Sequence, residues 1–370
     1  MVNVFKKLLT KQSQGVGLEI TPERINVAQL AKQGQGYKLE KLCSAEIPEG
    51  IFEEGKIVDA PALAELIQEI LKENKIKTKR VATGVPMREA IIRIIPLPAE
   101  LDDVELRDMV LNHEAALYLP YPREEVDLDY QKLGSFQDED GIEKVQVLLV
   151  ATRREITDSY MDTFQQAGLQ VDVLEINSFA LIRTIREQLR QFSSNEAAAI
   201  VDIEFDNTEI AIVVDGIPQF SRTVPIGTFQ LQNALSRAMN LPTSRNPDIL
   251  LGMTIPLTGF DSLSTATTTG ASSNPGMTAL LRVLGELTDE LRRSINFYLN
   301  QSDDLEIVQL LLAGPGGGLA QLDEFFTQRL SVPTMQIDPV SALSIDFPQE
   351  LPNNRRPGLG TVLGLGLREV

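Results

Sequence analysis

The stretch AAAIVDIEFDNTEIAIVVDGIPQFSRTVPIG, Ala197 to Gly227, decides how the rest of the chain is read. Ala198 to Ile203 is an apolar run closing on an acid, Asp202. Asp206-Asn207 predicts a tight turn, and Glu209 to Val214 is rich in β-branched residues that suit a strand. Asp215-Gly216 predicts a hairpin, because glycine takes φ > 0 without a Cβ clash. Ile217 to Val224 returns, and Pro225-Ile226-Gly227 leads into a helix. Three strands in a row with a carboxylate at the rim fit two readings. One is an ordinary meander. The other is one corner of a site for phosphate and metal.

The same pattern occurs near the start of the chain. Gly15 to Ile20 predicts a strand, Thr21-Pro22-Glu23 a turn, and Ile25 to Leu30 a returning strand. A turn at Gln33 to Gly36 then precedes a third strand, Tyr37 to Ile47. GLEI at Gly17 to Ile20 and VDI at Val201 to Ile203 each carry an acid late in the first strand. A repeat of this size predicts two lobes of similar fold. The length, 370 residues, also exceeds one ordinary core.

Composition narrows the function. The net charge is −18 and the pI about 4.6, with every lysine at or before Lys144. No basic face is available to replace the counterions of a nucleic acid. A single cysteine, Cys43, and a single histidine, His113, exclude an internal disulfide and a Cys/His zinc site and leave no obvious Ser–His–Asp triad. His113 beside Glu114 is read as a surface or packing residue. The longest apolar runs are too short to span a bilayer. The N-terminus lacks a secretory pattern and is read as a frayed tail, with a short amphipathic turn over Phe5, Leu8 and Leu9 as the alternative. The acidic loop Gln137 to Glu143 is read as a solvated hairpin tip, since calcium-loop spacing is absent.

Between the repeats, Asp59 is placed to cap a helix whose face carries Leu63, Leu66, Ile67, Ile70 and Leu71. Strands follow at Arg80 to Val85 and Ala90 to Ile95, the second ended by Pro96 and Pro98. Then come a helix from Asp102 to Leu119, strands at Val126 to Leu133 and Lys144 to Ala151, a helix from Arg153 to Ala167, and a strand at Leu169 to Ile176. Asn177 is expected to cap a helix running to about Phe192. After Gly227, a helix from Thr228 to Met239 precedes the Ser/Thr/Gly-rich segment Thr258 to Gly276, read as a mobile loop. A long helix, Met277 to Leu299, leads to a buried strand, Leu305 to Ala313. The glycine cluster GPGGG at Gly314 to Gly318 and a helix, Leu319 to Leu330, follow. The tail GLGTVLGLGLREV, with spaced glycines, predicts a closely packed helix.

Together these pieces resemble the actin-like fold and, within it, the type IV pilus assembly family PilM, with the cell-division relative FtsA sharing the lobes. GLEITPERINVAQL and VDIEFDNTEIAIVVDGIPQFSRTVPIG are similar to the family's two phosphate-side motifs, and LLAGPGGGLAQL to its third. More specific are IIRIIPLPAELDDVELRDMVLNHEAALYLPYPREEVDLDYQKLG, VLLVATRREITDSYMDTFQQAGLQVDVLEINSFAL, LTDELRRSINFYL and the ending VLGLGLRE. The resemblance implies an α/β, actin-like two-lobed fold of ribonuclease H-like repeats with an inserted α+β subdomain. The implied division is a tail over 1–14, a first lobe over 15–82 and 159–195, and an insert over 83–158. The second lobe follows at 196–227 and 305–370, with a helical subdomain at 228–304.

The resemblance further implies a cytoplasmic protein, peripheral to the inner membrane through its partners. Those partners are the N-terminal peptide of a PilN-like protein and the pilus motor ATPases, with self-association left open. Its cleft would hold ATP and Mg²⁺, with Glu19, Thr21, Asp202, Glu204, Gly227, Gly314, Gly316 and Gly317 at the nucleotide. Glu19 and Asp202 match the metal-side acids. The other positions depart from the pattern. Thr21-Pro22 stands where Gly then Ser or Thr is expected, and proline has no N–H for a phosphate. Glu204 and Phe205 replace a glycine and a small residue, Asn26 replaces a lysine, and Pro315 replaces a glycine. These changes remove donors and positive charge, so ATP turnover is expected to be slow or absent. The partner groove is expected along Ile91 to Leu97 and the Tyr118 to Pro122 corner, at Ile92, Ile94, Tyr118 and Tyr121. A nucleotide-switched ATPase and an FtsA-like membrane-tethered filament protein are the alternatives.

Overall fold

The computed structural model describes residues 15–34, 36–257, 274–301, 305–346 and 351–368. The expected tail, and all of the Ser/Thr/Gly-rich segment before Asn274 from position 258 on, lie outside the described residues.

The first sheet has the order β10-β6-β1-β2-β3-β16. Its strands are β1 (Gly15–Ile20), β2 (Arg24–Gln33), β3 (Gly36–Glu46), β6 (Arg80–Val85), β10 (Gln170–Ile176) and β16 (Ile345–Asp346). A small hairpin joins β4 (Phe52–Glu53) to β5 (Lys56–Ile57). The second sheet has the order β13-β12-β11-β14-β15. It is built from β11 (Glu196–Ile203), β12 (Thr208–Val214), β13 (Ile217–Val224), β14 (Glu306–Ala313) and β15 (Thr334–Gln336). The repeat is visible in the pairing. β1 pairs antiparallel with β2 and parallel with β6, and β11 does the same with β12 and β14. Both first strands are central and covered on two faces, which is why they read as near-continuous apolar runs. Asp215 and Gly216 turn the β12–β13 hairpin with φ of 50° and 75°.

The helix Ala60–Glu73 is capped by Asp59, which accepts from Ala62 N at 3.0 Å. It buries Leu63, Ile67, Ile70 and Leu71 in the core that also holds Tyr160 and Phe164 of the helix Arg154–Gln166. The insert is a sheet of order β7-β9-β8, from β7 (Ala90–Pro98), β8 (Val126–Gln137) and β9 (Glu143–Arg153). The helical segments Asp103–Asp108, Met109–Glu114 and Ala115–Tyr118 cover it, the middle one with π geometry. Leu106, Val110 and Ala115 pack there on Ile95, Leu97, Val147 and Leu149. β7 runs on through Pro96 and Pro98 instead of stopping before them, because it is an edge strand and tolerates missing donors.

Two expectations about the lobes are corrected. Asn177 begins the helix Asn177–Thr184 but caps nothing, and the helix breaks at Ile185 before a short turn, Arg186–Leu189. Its Leu181, Ile182 and Ile185, with Leu189, pack on Ala198, Ile200, Leu311 and Ala313 of the second sheet, not only on the first lobe. Conversely, the chain end does not stay with the second lobe. β16 pairs with β3, and the helix Gly360–Gly366 lays Val362 and Leu363 on Ala28, Leu30 and Leu39 of the first sheet. The chain therefore crosses between the lobes at both helices, each placed by an apolar face that fits the opposite sheet.

Glycine makes that crossing close. A Cβ on Gly364 would stand 2.0 Å from the Ala180 carbonyl oxygen, and one on Gly17 2.4 Å from Gly366 N. Gly134, in β8, has nothing within 4 Å of its Cβ position. Gly364→Val is expected to lower the unfolding free energy by about 1–3 kcal/mol through overpacking. Gly134→Ala should change it by less than about 0.5 kcal/mol. Urea midpoints of the two variants test the contrast.

Candidate functional site

The β1–β2 turn and the β11–β12 turn face each other across the two lobes. In the first, Thr21 N donates to Arg24 O at 2.9 Å, and Thr21 Oγ1 donates to Glu23 Oε2 at 2.9 Å. In the second, Glu204 N donates to Asn207 O at 2.9 Å. The helix Thr228–Ala238 begins against this turn, and the N–H groups of Thr228 and Phe229 donate to Glu204 O and Phe205 O. Those first helical donors are therefore used inside the second lobe. Gly227 allows the approach, since a Cβ there would lie 2.4 Å from Phe205 O.

A cavity of about 30 Å³ lies between the turns, bordered by Thr21 and Pro22 on one side and Asp202, Glu204, Asp206, Asn207 and Glu209 on the other. A larger one of about 240 Å³ is lined by Glu19, Glu23, Arg24 and Pro315, and shares Thr21 and Glu204 with the first. Of the residues expected at a nucleotide, Glu19, Thr21, Asp202 and Glu204 come together here. Gly227, Gly314, Gly316 and Gly317 line neither cavity. Gly314, at φ 73°, sits against Ile203 O and Asp202 Oδ1, Gly316 against the Ile203 side chain and Gly317 against Leu312, so packing on β11 and β14 accounts for them.

The site is dominated by buried acids. Glu19, Glu23, Asp202 and Glu209 are all buried. Burial pushes Glu19 up to about 8, against the lowering effect of the Asn26 side chain, which donates to Glu19 Oε2 at 2.9 Å. Nearby Asp202 and Glu23 add to the rise. Burial likewise takes Glu209 to about 8 and Asp202 to about 6, and raises Glu204 well above the carboxylate range, with Asp202 and Glu19 adding to it. Glu23 is also raised by burial. Arginines also reach this region, and Arg24 Nε is buried with no hydrogen-bond partner. Arg88 Nη2 lies 2.9 Å from Asp206 Oδ1, and Arg24 Nε 3.9 Å from Glu23 Oε1. Arg245 donates to Pro22 O at 2.5 Å, with its guanidinium 5.0 Å from the Phe205 ring centre. Among the described residues no three acid, histidine or cysteine side chains form a group able to hold a metal. The turns thus present acceptors where a triphosphate with its metal needs donors.

A second candidate surface lies between the first lobe and the insert. β8 is the free edge of the insert sheet, and β10 is an edge of the first sheet. Both line one cavity of about 490 Å³, with Leu128, Val150, Val173 and Phe179 among its apolar residues and Asp129, Glu175 and Arg368 among its polar ones. Glu175 is fixed by Arg183 at 2.6 Å and by Arg368. The four residues expected at a partner groove are not on it. Ile92 is buried in the first-lobe core, and Ile94 is partly buried on β7, the other edge of the insert. Tyr118 and Tyr121 are 37% and 40% exposed, and Tyr121 lies beneath Arg153 at 5.6 Å beside a cavity of about 120 Å³. The polar alternation of VDLDYQ marks β8 as an edge strand, against the more apolar central β9.

The model of the type IV pilus assembly protein PilM matches residues 17–246. Among solved structures, a PilM–PilN type IV pilus biogenesis complex matches with a TM-score of 0.79 at 25% identity, over 97% of this chain and 99% of that one. The ethanolamine utilization protein EutJ of Carboxydothermus hydrogenoformans matches with a TM-score of 0.53 at 13% identity, over 96% and 89%. MreB5 of Spiroplasma citri bound to ADP gives 0.51 at 11%, over 90% and 94%. The last two share the actin-like fold. Two repeated sheets, an insert within the first lobe and a family match over residues 17–246 lead to one assignment: this chain belongs to the PilM family of type IV pilus assembly proteins.

Proposed function

We infer that this chain is a scaffold of the pilus assembly machinery, which holds the N-terminal peptide of a PilN-like inner-membrane protein between β8 and β10 and links it to the pilus motor. The observation that carries this reading is the pair of edge strands facing one apolar groove. An extended peptide adds to such an edge through its backbone and places alternate side chains in the floor. Here the floor is Leu128, Val150, Val173 and Phe179, and Asp129 at the rim favours a basic residue in the peptide. The similar structure of a PilM–PilN complex supports the choice of partner. Among the described residues no helix is long and apolar enough to cross a membrane. That fits a protein held at the cytoplasmic face of the inner membrane through its partner.

In this reading the interlobe cleft is degenerate toward Mg·ATP. Pro22 has no N–H, Thr21 and Glu204 spend theirs within the turns, and Asn26 holds Glu19 where a lysine would meet a phosphate. Each of these acids, where ionised, opposes a phosphate by roughly 4 kcal/mol at 4 Å and an effective dielectric of 20, and where protonated it supplies no positive charge to hold one. The ADP-bound relative of the fold motivates the second reading, a nucleotide-switched ATPase.

Two measurements decide these points. Fluorescence anisotropy with a labelled PilN-type N-terminal peptide should show Leu128→Asp binding at least about tenfold more weakly, since a charge enters the apolar floor. Tyr121→Ala should stay within about twofold. The reverse order would return the groove to the Tyr118 to Pro122 corner. Calorimetry with a non-hydrolysable ATP analogue and Mg²⁺ should give no micromolar binding, and micromolar Mg²⁺-dependent affinity would establish the switch instead.

A further inference from the structure

The cleft that suits a phosphate poorly has a coherent chemistry of a different kind. Asn207 is 6% exposed and lines the smaller cavity. Its Nδ2 donates to Asp206 Oδ1 at 2.7 Å, and its buried Oδ1 has no hydrogen-bond partner. Asn177 also lines this cavity, but its unpartnered Oδ1 is turned onto Gly84. Asp202 and Glu204, whose carboxyl groups hydrogen-bond each other, line the same cavity as Asn207. Arg88 is held by Asp206, and Glu209 accepts from Met87 N at 2.9 Å. The volume of about 30 Å³ has room for about one ammonium-sized group.

An ammonium group carries three donors and no acceptor, which is the complement of this lining. The larger cavity adjoins through Thr21 and Glu204 and offers Glu19 and Glu23, with Arg24 as its nearest cation. A metal ion is a poorer match, since the described residues provide no three-membered metal group. We propose that the interlobe cleft binds a small organic diamine, one ammonium on Asp202, Glu204 and Asn207 Oδ1, the other against Glu19 and Glu23. The occupant would act as a cationic bolt between the lobes, in the position where nucleotide-binding relatives of the fold hold phosphates. The inference is independent of the peptide groove.

Its pH dependence has a definite sign. In the free protein, burial raises Glu19 and Glu209 to about 8 and Asp202 to about 6, and also raises Glu23 and Glu204, so protons occupy part of the cluster at neutral pH. Asp206 and Arg88 neutralise one another at its edge, and Arg24 offsets part of Glu23. A bound dication favours the ionised acids and displaces those protons. An alkylammonium stays charged to near pH 10, as lysine does. Affinity should therefore rise with pH, by up to about tenfold per unit for each displaced proton.

The test is calorimetry of the full chain with 1,4-diaminobutane at pH 6, 7 and 8 and constant ionic strength. Binding that strengthens with pH is expected. Glu204→Gln and Asn207→Leu should each weaken it at least about tenfold at pH 8, with circular dichroism and PilN-peptide affinity unchanged. Retained peptide binding separates a failure here from a failure of the scaffold reading. The proposal is overturned by no heat at any pH, by affinity that falls as pH rises, by equal affinity in folded Glu204→Gln, or by Mg²⁺ or Ca²⁺ alone binding as tightly as the amine.

Discussion

The close approach of backbone to backbone at the crossing of the two lobes is the constraint on which the rest depends. The helix Gly360–Gly366 meets Ala180 through Gly364 and β1 through Gly17, at distances no side chain allows. The helix Asn177–Thr184 is held on its other side by the second sheet. These contacts fix the separation of the two sheets. Because β1 and β11 occupy equivalent places in them, the separation also sets the gap between their turns. The cleft is thus a consequence of packing some distance away from it, and its acids are buried because the lobes are held together around them.

Burial of this kind costs free energy, and the molecule offsets it in several ways. Asn26 and Thr21 donate to Glu19 and Glu23, Met87 N and Arg88 reach across to Glu209 and Asp206, and raised pKa values keep protons on the remaining acids. A buried ion left unpaired is strongly destabilising, so neutralisation by a proton or by a bound cation is the physical alternative to opening the cleft. Against the acids in their ionised form a phosphate would add negative charge, whereas a cation would offset it.

The fold was legible because its signals are local and repeated. GLEI and VDI marked two equivalent first strands, Asp215-Gly216 and Asp59 marked a turn and a cap, and the spaced glycines of the tail marked a tightly packed helix. The lobe boundaries were less legible. Nothing within residues 177–189 or 345–367 says which sheet an apolar face will meet, since that depends on where the chain crosses in space. The site was half legible. Glu19, Thr21, Asp202 and Glu204 follow from their places at the ends of repeated strands. Gly314, Gly316 and Gly317 look like a ligand cradle in sequence, yet their missing side chains make room for Asp202, Ile203 and Leu312. The expected groove followed the apolar content of β7, whereas the groove we propose lies between β8 and β10, because only the folded arrangement of the sheets brings those two edges to one cavity.

The cleft and the groove are joined by one short stretch of chain. Glu175, Ile176 and Phe179 line the groove, and Asn177 lines the smaller cleft cavity. Asn177 and Phe179 lie on the first turn of the same helix, and Glu175, the last but one residue of β10, is held by Arg183 and Arg368. Arg368 follows the helix whose glycines set the lobe crossing, and Arg183 also donates to Gly364 O at 2.8 Å. In the scaffold reading we propose, a peptide seated on β10 would press on the same turn that borders the cleft, and on the same helix that fixes the distance between the lobes. Any preference that the peptide has for one arrangement of this turn is shared, by linkage, with whatever occupies the cleft, and the effect runs equally in both directions. Whatever the cleft holds, its occupancy would in this way matter to a scaffold, because it and the groove's would be read through a single turn of helix.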